Sequence, residues 1–118
     1  MLKIGGVTLG DVPRVVFSVD GESPAVGQAA GEGVDILEVR VDRFEGPWTS
    51  ARIVDDVKVL KRHEMPLIGT IRIQGEGGKA TLSDAQRADL YQNISPLVDA
   101  IDIDVSAAIL KPVVASAQ

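Results

Sequence analysis

The sequence has no cysteine and a single histidine in 118 residues, and its 12 basic residues are outnumbered by 17 acidic ones. Without cysteine there is neither a disulfide framework nor a thiolate metal site, and no His or carboxylate cluster has metal-ligand spacing. No apolar run approaches the ~18 residues of a membrane span. Residues 1–10 hold Lys3 as their only charge and lack the apolar core of a signal peptide. The net charge is -5, with 10 acidic against 6 basic residues over 1–59 and 7 against 6 over 60–118. That balance argues against nucleic acid as the main partner. Hydrophobic residues make up 45% and charged residues 25%, an ordinary globular composition at a single-domain length. The expectation is one soluble, cytoplasmic domain that needs no metal or cofactor and meets neither membrane nor nucleic acid.

What is present is an alternation of two kinds of segment. Short β-branched runs bounded by turn residues predict strands over Arg14–Asp20, Asp35–Asp42, Pro66–Arg72 and Asp99–Val105. Helices are predicted between them. Ser23-Pro24 opens one, closed by Gly31 and Gly33, and residues 53–63 carry a helical apolar period. Ser83 to Gln86 reads as a capping box opening a helix to about Ile94, stopped by Ser95 and Pro96. A last helix is predicted to start near Pro112, and Leu2 to Leu9 reads as a small hairpin around Gly5 and Gly6. A hairpin followed by four βα units implies a parallel sheet with right-handed crossovers.

The strand contents separate a doubly wound sheet from a barrel. Residues two apart share a strand face. Leu37, Val39 and Val41 therefore oppose Glu38, Arg40 and Asp42, while Gly69 and Ile71 oppose Thr70 and Arg72. Likewise Ile101, Ile103 and Val105 oppose Asp102 and Asp104, and Ser18 and Asp20 oppose Phe17 and Val19. A doubly wound sheet is apolar on both faces because helices cover both. One apolar and one charged face fit a barrel, with polar residues lining the interior near the strand C-termini where barrel enzymes bind ligands. The inner arginines suit a carboxylate, which their planar forks can hold through two hydrogen bonds.

Three of these segments carry a family likeness. Asp35-Ile-Leu-Glu-Val-Arg-Val-Asp42 resembles the D-x-x-E-x-R-x-D second strand of type I 3-dehydroquinate dehydratases. Pro66-Leu-Ile-Gly-Thr-Ile-Arg72, followed by Glu76-Gly-Gly, resembles their third strand, and Val98 to Asp104 their fourth. The resemblance implies the N-terminal half of a (β/α)8 barrel, a (βα)4 half-barrel over residues 1–118 with residues 1–10 as a hairpin. It implies that Glu38, Arg40 and Arg72 bind the hydroxyls and carboxylate of a 3-dehydroquinate-like substrate. Glu76, which supports the family's catalytic His, would be a supporting residue with Asp102, Asp104 and Ser18. The fourth strand reads Asp102-Ile-Asp104 where the family has Asp-x-Glu, one methylene shorter. The family reaction is a Schiff-base dehydration in the shikimate pathway, with its His on the fifth strand and its Lys on the sixth. Both positions lie beyond these four βα units, so no catalytic residue is assigned in this chain.

The remaining candidates read as structure. His63 is expected on a helix end at the far side of the barrel from the site, and Lys58 and Lys61 on a solvated helix face. Lys79 lies on a loop at the site end, and Lys111 in a turn after the fourth strand. Gly75 to Thr81 fails as a phosphate loop, since Ile73 and Ala80 stand where Gly and Ser or Thr are needed. Trp48 is expected to anchor a loop on the second helix. Three readings stay open: a half-barrel that works with a complementing C-terminal half, a non-enzymatic half-barrel that homodimerises, and a small carboxylic-acid binding module.

Overall fold

A computed structural model describes residues 2–77, 81–104 and 107–117, with Glu76 described in its backbone alone. β1 (Lys3–Ile4) and β2 (Val7–Thr8) form the expected antiparallel hairpin. Its turn places Gly5 at φ 56°, where an added Cβ would lie 3.1 Å from the Pro66 ring. Glycine is needed there both for the left-handed backbone and for the close approach. Arg14 ties the hairpin down from the other side by donating its Nε–H to the Thr8 carbonyl at 2.9 Å.

The main sheet contains β3 (Val16–Val19), β4 (Ile36–Arg40), β5 (Leu67–Thr70) and β6 (Ala100–Asp102), all parallel and hydrogen-bonded in chain order. The order decides between the two βα architectures. A doubly wound sheet reverses its strand order at a switch point. Strands added in sequence by crossovers of one hand put every helix on the same face. Those helices are α1 (Pro24–Gly31), α2 (Ser50–Lys61), α3 (Asp84–Ile94) and α4 (Leu110–Ala117), with α3 packed between α2 and α4. The core lies between this layer and the sheet: Leu37, Val39 and Leu67 meet Ile53, Val57, Leu60, Leu90 and Ile94. Gly69 lets α3 approach closely, since a Cβ there would stand 2.9 Å from Ile94 Cδ1. The expected half-barrel with its N-terminal hairpin is therefore the fold observed.

Local differences have local causes. The second strand stops at Arg40, two residues before the expected Asp42, because Val41–Arg43 turn into a 3-10 helix. The first strand is likewise shorter than Arg14–Asp20, and β6 ends at Asp102. The last expected residue of that fourth strand, Val105, lies outside the described residues. α2 begins at Ser50, before the apolar period at residue 53, since Thr49 Oγ1 accepts the Arg52 N–H. α1 starts at Pro24 as expected, but the Ser23 hydroxyl makes no capping bond. α4 begins at Leu110 and takes Pro112 into its first turn, where a missing N–H leaves no helical bond unmade. The Ser83–Gln86 capping box is formed in both directions, at 3.1 and 2.8 Å. Among the described residues no helix is long and apolar enough to cross a membrane.

Candidate functional site

The uncovered face of the sheet carries the polar residues. Ser18, Glu38 and Arg40, with Thr70 and Asp102, occupy the positions that alternate with the core-facing ones. Below them, toward the strand N-termini, the same face is apolar at Val16, Ile36, Ile68 and Ala100. A polar layer at the C-terminal ends over an apolar layer beneath is the arrangement of a barrel interior open at its ligand-binding end.

Glu38 stands in the middle of this layer. Its Oε1 accepts the Ser18 hydroxyl at 2.6 Å and its Oε2 accepts the Thr70 hydroxyl at 3.0 Å, so both neighbouring strands fix the carboxylate. Thr70 itself is fully buried. Arg40 grips Asp42 with two bonds, Nε to Oδ1 at 3.1 Å and Nη2 to Oδ2 at 2.9 Å. Such a paired fork is the strong form of an arginine–carboxylate contact. The Asp42 hydrogen bond leads the causes that hold Arg40 above its ordinary pKa, against the effect of burial, with the charges of Asp42, Glu38 and Asp102 adding to it.

Asp42 is 0% exposed and does more than pair with Arg40: its Oδ1 also accepts the Arg72 backbone N–H at 3.0 Å. The carboxylate thereby joins the ends of β4 and β5 and sets the two arginines side by side. The Arg72 side chain reaches across to β6, donating from Nη2 to Asp102 Oδ2 at 2.8 Å. Among the described residues, Nη1 of Arg40 and both Nε and Nη1 of Arg72 make no hydrogen bond. The face thus offers guanidinium donors beside a fixed carboxylate, a pairing that can hold a ligand's carboxylate and its hydroxyls together.

Asp104 departs from the expected inner grouping. Its Oδ1 accepts from Arg87 Nη2 at 3.0 Å, on the α3 side of the sheet. Burial pushes the Asp104 carboxyl upward. The Arg87 hydrogen bond, its own backbone N–H and the charges of Arg87 and Arg72 outweigh that, and its pKa lies below the ordinary aspartate value. Arg87 is a buried site neighbour that the sequence reading missed. The available signal was its place on the stripe 87, 90, 91, 94, which is otherwise the apolar face of α3.

The side chain of Glu76 and the residues Gly78, Lys79 and Ala80 lie outside the described residues. His63 stands just after α2, with Nε2 2.7 Å from Glu22 Oε2, and takes no part in the Glu38 network. Trp48 anchors its loop by donating to the Val41 carbonyl at 3.0 Å. Among the described residues no group of three or more His, Cys, Asp or Glu side chains is placed to hold a metal ion. Concavity does not mark the site. A cleft of about 550 Å³ is lined by Asp20, Glu22, Arg43 and Arg52 rather than by Glu38 or Arg72. A smaller one of about 200 Å³ includes Ser18 and Arg40 in its lining but neither Glu38 nor Arg72. Half a barrel wall is an open trough, so the hydrogen-bond network locates the site better than enclosed volume does.

The family model described as type I 3-dehydroquinase matches residues 12–118. The 3-dehydroquinate dehydratase of Methanococcoides burtonii is 36% identical over 107 residues, covering 89% of this chain and 46% of that protein. That of Methanosarcina mazei is 37% identical over 113 residues, covering 91% and 46%. The type I enzyme of Clostridium difficile, solved with covalently modified comenic acid, superposes with a TM-score of 0.80 at 26% identity, covering 89% of this chain and 46% of that one. The Aquifex aeolicus 3-dehydroquinate dehydratase shares the fold, with a TM-score of 0.71 at 24% identity over 90% of this chain and 50% of its own. The chain spans about half the length of the curated relatives it matches. Over that span, this chain belongs to the type I 3-dehydroquinase family.

Proposed function

We propose that this chain is the substrate-binding half of a cytoplasmic 3-dehydroquinate dehydratase, acting in the shikimate pathway through a Schiff-base elimination completed by a C-terminal half. The observation that carries this reading is the Glu38 carboxylate held by Ser18 and Thr70 beside the open donors of Arg40 and Arg72. Arg72 would take the substrate carboxylate, exchanging its contact with the partly exposed Asp102 for one with the ligand. Glu38 and Arg40 would bind the ring hydroxyls, with Asp102, Asp104, Ser18 and Glu76 in support. The Lys that condenses with the ketone and the His that moves the proton belong to later strands of the family barrel. Binding and turnover therefore divide between the halves.

The test is calorimetric titration of the chain with 3-dehydroquinate, then dehydration assays on mixing with the C-terminal half of a family member. Wild-type binding that Arg72→Ala removes, with turnover only in the mixture, is the expected result. An Arg72→Ala chain that binds as wild type does sinks the assignment. A second reading rests on the edges of the sheet: among the described residues β3 and β6 each lack a partner on one side, and Val15 and Val16 are 53% and 47% exposed. Two copies about a two-fold axis would close an eight-stranded barrel. Light scattering that returns a monomer at micromolar concentration excludes it.

A further inference from the structure

Beyond Thr70 and Asp102, the last paired residues of β5 and β6, two side chains of α3 take over the bonds of the strand ends. The Tyr91 hydroxyl accepts the Ile71 N–H at 3.1 Å and lies 2.8 Å from the Asp102 carbonyl and 3.3 Å from the Ile71 carbonyl, its two candidate acceptors. Arg87 donates Nε–H and Nη2–H to the Ile71 carbonyl at 3.2 and 2.9 Å, and Nη2 also reaches Asp104. Its guanidinium lies 5.9 Å from the Tyr91 ring centroid. Arg87 is 2% exposed and Tyr91 0%. Ile71 immediately precedes Arg72, whose own N–H is held by Asp42. Both polar ends of the Ile71–Arg72 peptide group, which leads into the Arg72 Cα, are therefore fixed from outside the sheet ladder, as is the N–H of the peptide group before it. On the next strand, Tyr91 holds the carbonyl of Asp102, the residue that receives Arg72.

A buried arginine is poor evidence for stability, because desolvating the charge offsets much of what its partners return. Its geometric effect here is specific. We infer that Tyr91 and Arg87 are positioning residues that aim Arg72 at the ligand's carboxylate from behind the sheet. This rests on the binding role proposed for Arg72. It adds that the precision of that contact is built into α3 rather than into the barrel strands.

The experiment uses the full chain with 3-dehydroquinate as probe, comparing wild type, Tyr91→Phe, Arg72→Lys and the double variant by calorimetry. Tyr91→Phe keeps the ring in the core and removes only the hydroxyl. It is expected to weaken binding about tenfold, equivalent to ~1.4 kcal/mol. On the Arg72→Lys background the same change should cost little more, because both act on one contact. Unchanged affinity in Tyr91→Phe overturns the inference, as do losses that simply add. A merely structural tyrosine would shift the unfolding midpoint without that coupling. If Tyr91→Phe does not fold, Arg87→Lys, which keeps the charge but not the fork, runs the same cycle with the same two outcomes. If wild type itself binds no 3-dehydroquinate, the binding reading fails by itself. Crystal structures then decide the positioning: Arg72 displaced from Asp102 in the Tyr91→Phe or Arg87→Lys chain supports it, and an unmoved pair overturns it.

Discussion

Asp42 shows how much a single residue organises here. Its carboxylate is fully buried, and it is tolerable there because three N–H groups, two from Arg40 and one from the Arg72 backbone, surround it. Strand alternation placed it on the same face as Glu38 and Arg40, and its chemistry was legible as a charge beside two arginines. That it would leave the strand was not legible: in the turn its carboxylate accepts the Arg72 backbone N–H, a partner 30 residues on. Asp104 is the complementary case. Its folded pKa lies below the ordinary aspartate value, so the ionised carboxylate favours the folded state. That contribution is fully present above about pH 4, the unfolded value, and is lost as pH falls through the lower folded one. Urea unfolding as a function of pH should therefore show an acid limb below about pH 4 that flattens in Asp104→Asn.

At the scale of elements, α3 does the most to place the site. It opens on a two-way capping box, packs Leu90 and Ile94 into the core, and turns Arg87 and Tyr91 toward the ends of β5 and β6. The box was readable because Ser and Gln three apart before a helical run have one economical use. Arg87 was not, since an arginine on a helix reads as solvent-facing until the strand carbonyl it meets is known. Replacing Ser83 by Ala removes the acceptor for the Gln86 N–H and should lower stability by about 1 kcal/mol. Denaturant titration measures it, and an unchanged midpoint would mean that the helix start is held elsewhere. Because α3 also carries the two positioning residues, fraying of its first turn should loosen ligand binding before it unfolds the chain.

For the whole molecule, the decisive feature is a sheet finished on one face only. A full barrel of this kind takes roughly 250 residues, and the relatives matched here are about twice as long as this chain. The inner trough and the free sides of β3 and β6 are where a second half would dock. A C-terminal half of a family member should therefore raise the unfolding free energy with its concentration, by ~2.7 kcal/mol at a hundred times its dissociation constant. A midpoint independent of that concentration would rule the docking out. The sequence by itself determined the βα order, the two-faced strands and the family, because period-two alternation and motif spacing are properties of the chain alone. Tertiary structure decided where the charges go: Asp42 into a buried bridge, Asp104 to α3, Arg72 onto Asp102. Those partners lie between 17 and 30 residues apart, and only the packing of helix against sheet brings them within hydrogen-bond reach.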